Sequence, residues 1–428
     1  MSQILTPQQV TPALQRKLAS TLFISASIFS AAQIATFALL PIVSVELGGS
    51  DAMAGIPATM GQIGHAVAAY PIGWAMDRWG RRAGLCLGLL VAMSGALLNG
   101  FAINIESFVI LCLGAALFGV GRATSEQARF AAAEIQLPAN RAKAIGTIVF
   151  AGTVGAIVGP LLIAPSGNLV ESYGLNPQIG PFAVGAIFAY AAFLLLFFFL
   201  RPDPMRIGHA LSHLDHDADA DISLRSARPL REVFARWDVR LAVLSMVIGQ
   251  LVMTMLMVIT PVHMNNSALG TEALGWVFMA HTLGMFGLSA FTGRMVDRIG
   301  RTTTIVLGCV ILIASAILAP LSATVPLLIV ALFLLGLGWN LCFIAGSSML
   351  SSALRAVERG RVQGANETLV AAAAGGGSFS TGIIYAAGGL ATLSLVGIAL
   401  SAILLAMTIW YITYQRGAAR RADLSNTA

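Results

Sequence analysis

The chain has 428 residues, 57% of them hydrophobic and only 10% charged. Soluble domains carry about 25% charged residues, and no water-soluble fold of this length has enough polar surface to cover so much apolar side chain. The composition excludes a soluble enzyme, a disordered chain and a secreted disulfide scaffold. Cys86, Cys112, Cys309 and Cys342 lie far apart in apolar stretches, with no C-x-x-C pair to suggest zinc or a disulfide framework.

A membrane helix takes about 20 apolar residues, and apolar runs between charged or Pro/Gly-marked breaks predict twelve of them. The first six lie near 18–41, 52–76, 83–101, 107–133, 143–165 and 179–200. The second six lie near 239–262, 272–296, 303–322, 325–352, 361–387 and 391–414. The fold class expected is an all-α membrane protein of twelve transmembrane helices in two six-helix pseudo-repeats. Its parts are an N-terminal half 1–200, a cytoplasmic linker 201–238 and a C-terminal half 239–428. No cleavable signal peptide is visible, because Arg16 and Lys17 stand directly before the first span. The loops on one side carry the Lys and Arg residues, while the opposite loops carry Glu46, Asp51, Glu106, Glu171 and Glu272 and no base. That positive-inside pattern predicts a multi-pass protein of the cell inner (plasma) membrane with both termini cytoplasmic. The net charge of +6 reports this topology and not nucleic-acid binding.

The second span ends in Gly73-Trp74-Ala75-Met76-Asp77-Arg78-Trp79-Gly80-Arg81-Arg82, and the eighth in Gly293-Arg294-Met295-Val296-Asp297-Arg298-Ile299-Gly300-Arg301-Thr302. The two copies are 220 residues apart, as are Pro41 and Pro261. Parallel six-helix repeats with a site near the midplane are a transporter architecture. G-x-x-x-D-R-x-G-R-R at this place resembles the signature loop of the major facilitator superfamily, and the resemblance covers the whole chain. It implies an alternating-access transporter in which Gly73, Asp77, Arg78, Gly80, Arg81, Gly293, Asp297, Arg298, Gly300 and Arg301 form gating loops. Thr302 replaces the last Arg of the second copy, which makes the two loops unequal.

Within span four, Arg122, Glu126 and Arg129 are spaced for Glu126 to pair with both arginines along one face. Such a cluster is expected to buttress a gate, and proton coupling through Glu126 or Glu367 is the sharper alternative. Gly152, Gly155 and Gly159-Pro160 in span five predict close helix packing; they are also similar to the motif of drug exporters, which keeps efflux as a third function. His209, His213 and His216 lie among Asp215, Asp217, Asp219 and Asp221, a linker composition that also suits metal.

Eight of the 16 methionines fall in or beside spans seven and eight, among them Met253-x-x-x-Met257 and His281-x-x-x-Met285. The i, i+4 spacing puts each pair on one helix face. At about 1.5 Å per residue, Met253 and His281 come to similar depth, near mid-membrane. Thioether with imidazole suits Cu(I) better than oxygen-preferring ions. The 220-residue repeat maps Met285 onto His65 and Met253 onto Gln33, which makes His65 and Gln33 cavity candidates. M-x-x-x-M with H-x-x-x-M resembles the CcoA-like copper importers (CalT family) of bacterial inner membranes. The resemblance implies Met253, Met257, His281 and Met285 as metal ligands, with copper as the transported ion and no resident cofactor. Import would serve cytochrome c oxidase assembly, with the lipid bilayer and a cytoplasmic copper chaperone as partners of a monomer. A branch with the same motifs carries riboflavin, so a flavin-like solute, recognised by aromatic and amide groups such as Trp276, Trp339 and Asn340, is the alternative.

Overall fold

The computed structural model describes residues 10–137, 140–212, 228–321, 324–354 and 359–426, and among these the regular structure is helical throughout. Caps set the ends where the apolar pattern alone is silent. The Thr11 hydroxyl accepts from the Leu14 amide at 3.2 Å and Pro12 follows, opening α1 (Pro12–Gly48), which stops at Gly49 with φ +70°. Next come α2 (Ile56–Trp79), α3 (Arg81–Asn104), α4 (Phe108–Glu134, capped by Ser107), α5 (Arg141–Leu161), α6 (Ile163–Glu171) and α7 (Ile179–Phe199). Short helices α8 (Pro204–Ser212) and α9 (Leu230–Ala235) precede α10 (Trp237–Asn266), α11 (Thr271–Thr282), α12 (Ser289–Ile299), α13 (Arg301–Leu321), α14 (Val325–Ala353) and α15 (Arg359–Asn426).

Among the described residues nine helices are long and apolar enough to cross a membrane, or ten when α11 and α12, bent by 47°, count as one span. The remainder is explained by two local features. α15 is interrupted where Gly388 and Gly389 leave helical geometry, between the spans expected at 361–387 and 391–414. α2 is diluted by Gln62, His65, Asp77 and Arg78. The count is thus consistent with twelve. The fifth expected span is broken into α5 and α6 at Leu162, just after Pro160. The His213–Asp221 part of the polar tract lies outside the described residues.

The chain forms two compact units, one of residues 1–222 with 261–279 and one of 223–260 with 280–428. In the first, α4 packs on α2 and α3, and α1 on α5 and α7. Its core runs through Leu22, Phe29, Met76, Leu85, Leu89 and Leu196. Glycine sets the closeness of these pairs. A Cβ at Gly64 would strike the Ala116 carbonyl, and one at Gly119 the Gly61 carbonyl. The second unit repeats this crossing: a Cβ at Gly284 would strike the Phe333 carbonyl, and one at Gly336 the His281 carbonyl. The α2/α4 crossing therefore returns where the chain around His281 and Gly284 meets α14, with shifts of 220 residues on the first partner and 217 on the second. In span five, Gly155 meets Ser30 and Gly159 meets Ala31 and Ile34 of α1, while Gly152 has open space.

Candidate functional site

In the first unit the α2/α4 crossing leaves polar side chains beside a cleft of about 520 Å³, including space open to solvent. Gln33 and Phe37 of α1, Gln62 of α2, Asn99 of α3, Phe118 and Arg122 of α4 and Phe182 of α7 line it. Arg122 is held from two sides: Nη1 donates to Gln62 Oε1 and Nε to Glu126 Oε1, both at 3.3 Å. His65 Nε2 lies 3.1 Å from Glu126 Oε2. Asn99 is 2% exposed, and its Oδ1 is buried with no hydrogen-bond partner among the described residues.

This differs from the expected Arg122–Glu126–Arg129 run. Arg129 lies over the Phe130 ring at 5.0 Å and its buried Nε has no partner among the described residues. The second partner of Glu126 is His65, brought in from α2 because the glycine crossing lets the two backbones approach. Gln33 lines the cleft, and His65 stands one turn beyond Gln62 on the same helix, behind Arg122 rather than on the cleft lining. Gln62 and Asn99 were not singled out from the sequence. Their signal was a carboxamide within an otherwise apolar span.

In the second unit Met253, Met257 and His281 are buried, at 8, 4 and 2% exposure, and Met285 is half-buried. His281 Nδ1 is 3.0 Å from the Leu332 carbonyl of α14. Met246 and Met255 are equally buried; Met246 shares the face of Met253 and Met257, at spacings of seven and four residues, while Met255 points about 200° away from Met253. Residues Leu283–Gly287 form a π-helical turn, in which the bonding pattern is i→i+5. Asn340 causes it locally: its Nδ2 donates to the Met285 carbonyl at 2.6 Å and to Ser289 at 2.9 Å, and its Oδ1 accepts from Thr292 at 2.6 Å. Trp339 donates to Gln250 at 2.9 Å and stacks on Phe343 at 4.9 Å, whereas Trp276 is 48% exposed on α11. Across the repeat, Trp339 and Phe343 occupy the positions of Arg122 and Glu126, and Met285 that of His65. One unit has charge where the other has aromatic and sulfur groups.

The signature loops differ in the same way. Gly80 has φ +97° and Gly300 φ +87°, a conformation glycine adopts at no steric cost. Arg81 makes a bidentate pair with Glu134 and a 2.8 Å pair with Asp77, whereas Arg301 donates to the hydroxyls of Ser348 and Ser352. Arg78, Asp297 and Arg298 are exposed, and a Cβ at Gly73 or Gly293 would meet nothing. Asp203 caps α3, accepting from the Arg81 amide at 3.1 Å and the Arg82 amide at 2.9 Å, and caps α8 through the Met205 amide. Asp203→Ala should therefore lower stability by about 1 kcal/mol, seen as an earlier melting transition of the purified protein. Asp203→Asn, which keeps an acceptor, should recover most of it.

Long apolar helices in two internally repeated bundles, a polar cleft within one of them and charged turns define a solute-carrying membrane protein. The profile of the Major Facilitator Superfamily matches residues 22–270 and 242–426, and the chain belongs to that superfamily. It is a transporter and not an enzyme. It is 33% identical to the uncharacterized MFS-type transporter YddS of Bacillus subtilis, over 86% of this chain and 85% of that one. It is 28% identical to the riboflavin transporter RfnT of Brucella anthropi, over 82% of this chain and 85% of that one. Among solved structures, a bacterial homologue of the human lysosomal transporter Spinster shares the fold with a TM-score of 0.70 at 16% identity, covering 95% of this chain and 98% of that one.

Proposed function

We propose that the chain is a secondary transporter of a small organic solute with a planar aromatic body and hydrogen-bonding edges, of which riboflavin is the representative. It works by alternating access in the inner membrane, with both termini cytoplasmic as the positive-inside pattern requires. The observation that carries this reading is the cleft of the first unit, where Gln33, Gln62, Asn99 and Arg122 stand among Phe37, Phe118 and Phe182. Ligand sites pair apolar walls with a few placed polar groups in this way. Asn99 adds a third carboxamide side chain to the lining. The likeness to RfnT supports the same solute class.

Copper import is the second reading, and one observation favours it. With Nδ1 bonded to the Leu332 carbonyl, His281 has the backbone-oriented imidazole common among metal ligands. The ligands in that reading are Met253, Met257, His281 and Met285, with Met253 and His281 central. Burial does not distinguish them from Met255, and Met is an adaptable packing residue.

Uptake of radioactive riboflavin and radioactive copper in cells expressing the chain separates the two. Met253→Leu costs less than about 1.5 kcal/mol as a volume-conserving change, so this variant and His281→Gln should reach the membrane. Both should still accumulate riboflavin, and neither should differ from wild type in copper content. Copper uptake that is present in wild type and Met255→Leu but lost in both variants would establish copper instead.

A further inference from the structure

The two arginines that open α3 are used differently. Arg81 is taken up by Glu134 and Asp77. Arg82 instead meets an aromatic ring, and Arg201 meets the same one: their guanidinium carbons lie 5.7 and 5.6 Å from the centre of Phe197, near the end of α7. Among the described residues no carboxylate pairs with either guanidinium. Asp203, two residues beyond Arg201, spends its carboxylate on the backbone amides of Arg81, Arg82 and Met205. Two cations thus converge on one exposed ring, an arrangement that favours an anion.

Phe197 is also the end of a column. Tyr190, Phe193 and Phe197 follow one another along α7, with centroids 5.9 and 5.6 Å apart and stacked rings. Spacings of three and four residues put them on one helix face. That face looks outward, since Ile187, Tyr190 and Phe197 are exposed on a helix apolar enough to cross a membrane. From Tyr190 to Phe197 the column runs about 10 Å, about two thirds of the hydrocarbon depth of one leaflet. Trp79, at the end of α2 beside this turn, is exposed and meets Trp74 edge-on at 5.4 Å. Exposed tryptophan at the end of a span marks the headgroup level.

We propose that Arg82 and Arg201, held over Phe197, bind the headgroup phosphate of an anionic phospholipid whose acyl chain lies along Phe193 and Tyr190. A soluble anion would meet the arginines alone. A zwitterionic lipid would bring a third cation to a place that already has two. An anionic diacyl lipid such as phosphatidylglycerol satisfies both the charges and the apolar column. Guanidinium suits the task, because its paired N–H donors match phosphate oxygens. Seated there, the lipid joins α3 to α7 at their basic ends. The internal repeat supplies a contrast: Thr302 stands 220 residues after Arg82, so the second unit lacks this cation.

Native mass spectrometry of the purified full chain, titrated with dioleoyl phosphatidylglycerol or dioleoyl phosphatidylcholine, tests the site. Wild type should retain one phosphatidylglycerol at concentrations that leave phosphatidylcholine unbound. R82Q and R201Q should each weaken this first binding step about fivefold, and the double variant about 25-fold, as expected of arginines beside anionic lipid. R298Q removes an exposed arginine from the corresponding turn of the second repeat and should bind as wild type. Excess inorganic phosphate should leave the lipid in place. Size exclusion checks that each variant is folded, and R201Q alone decides the matter should the double variant aggregate. Equal retention of the two lipids by wild type would overturn the proposal. So would unchanged phosphatidylglycerol binding in R201Q, an equal loss in R298Q, or displacement by inorganic phosphate.

Discussion

Gly119→Val is expected to leave almost no folded transporter in the membrane. The Cβ of any residue at 119 would overlap the Gly61 carbonyl, so it is backbone, and not a flexible side chain, that would have to move. Overpacking costs about 1–3 kcal/mol where side chains can give way. A separation of α2 from α4 would cost more, because membrane helices without a hydrophobic drive depend on close backbone approach. It would also dismantle the cleft, since Gln62 and Arg122 are aligned by this crossing. The yield of monodisperse protein on size exclusion should fall at least about tenfold, the equivalent of about 1.4 kcal/mol. Gly146→Ala, where a Cβ meets nothing within 4 Å, is the matched control and should behave as wild type. A normal yield for Gly119→Val would contradict the packing described for α2 and α4.

Arg122→Gln should leave the fold in place and remove transport. Glu126 keeps His65 as a partner and is 42% exposed, so the substitution does not strand its carboxylate. The cleft loses the one cation among its described lining residues, together with the donor to Gln62. A hydrogen bond to a charged group contributes about 1.5–3 kcal/mol, which is about 10- to 150-fold in affinity. Arg122→Lys should fall between, because a point charge on a flexible stem does not reproduce the two-sided grip of a guanidinium. Saturation kinetics of riboflavin uptake, with membrane levels measured alongside, read this directly. An unchanged half-saturation concentration in Arg122→Gln would remove the arginine from the site.

The helical fold, the repeat and the signature turns were legible because each leaves a linear trace: apolar runs, a constant 220-residue offset and glycines at turns. The breaks at Leu162 and Gly388–Gly389 were marked by proline or glycine. The π turn at Leu283–Gly287 was not legible, because it depends on Asn340, 55 residues further on, taking the Met285 carbonyl. The same distance dependence governs the site. Helical spacing pairs Glu126 with Arg122 correctly, but it cannot show that the other partner arrives from α2, 61 residues earlier. Likewise Asp203, which caps α3 from beyond α7, has no local pattern that names its target. Sulfur and imidazole drew the sequence reading toward the second unit. The amides that line the cleft, Gln33, Gln62 and Asn99, are separated in sequence and converge only in the folded bundle.

The most direct test of the central claim is equilibrium binding of labelled riboflavin to the purified protein, with Cu(I) competition, for wild type, Gln33→Ala, Asn99→Leu and Met253→Leu. Saturable riboflavin binding is predicted for wild type, undisturbed by Cu(I), weakened in both cleft variants and retained in Met253→Leu. Absence of riboflavin binding, or binding that survives both cleft substitutions and is lost in Met253→Leu, would contradict the account.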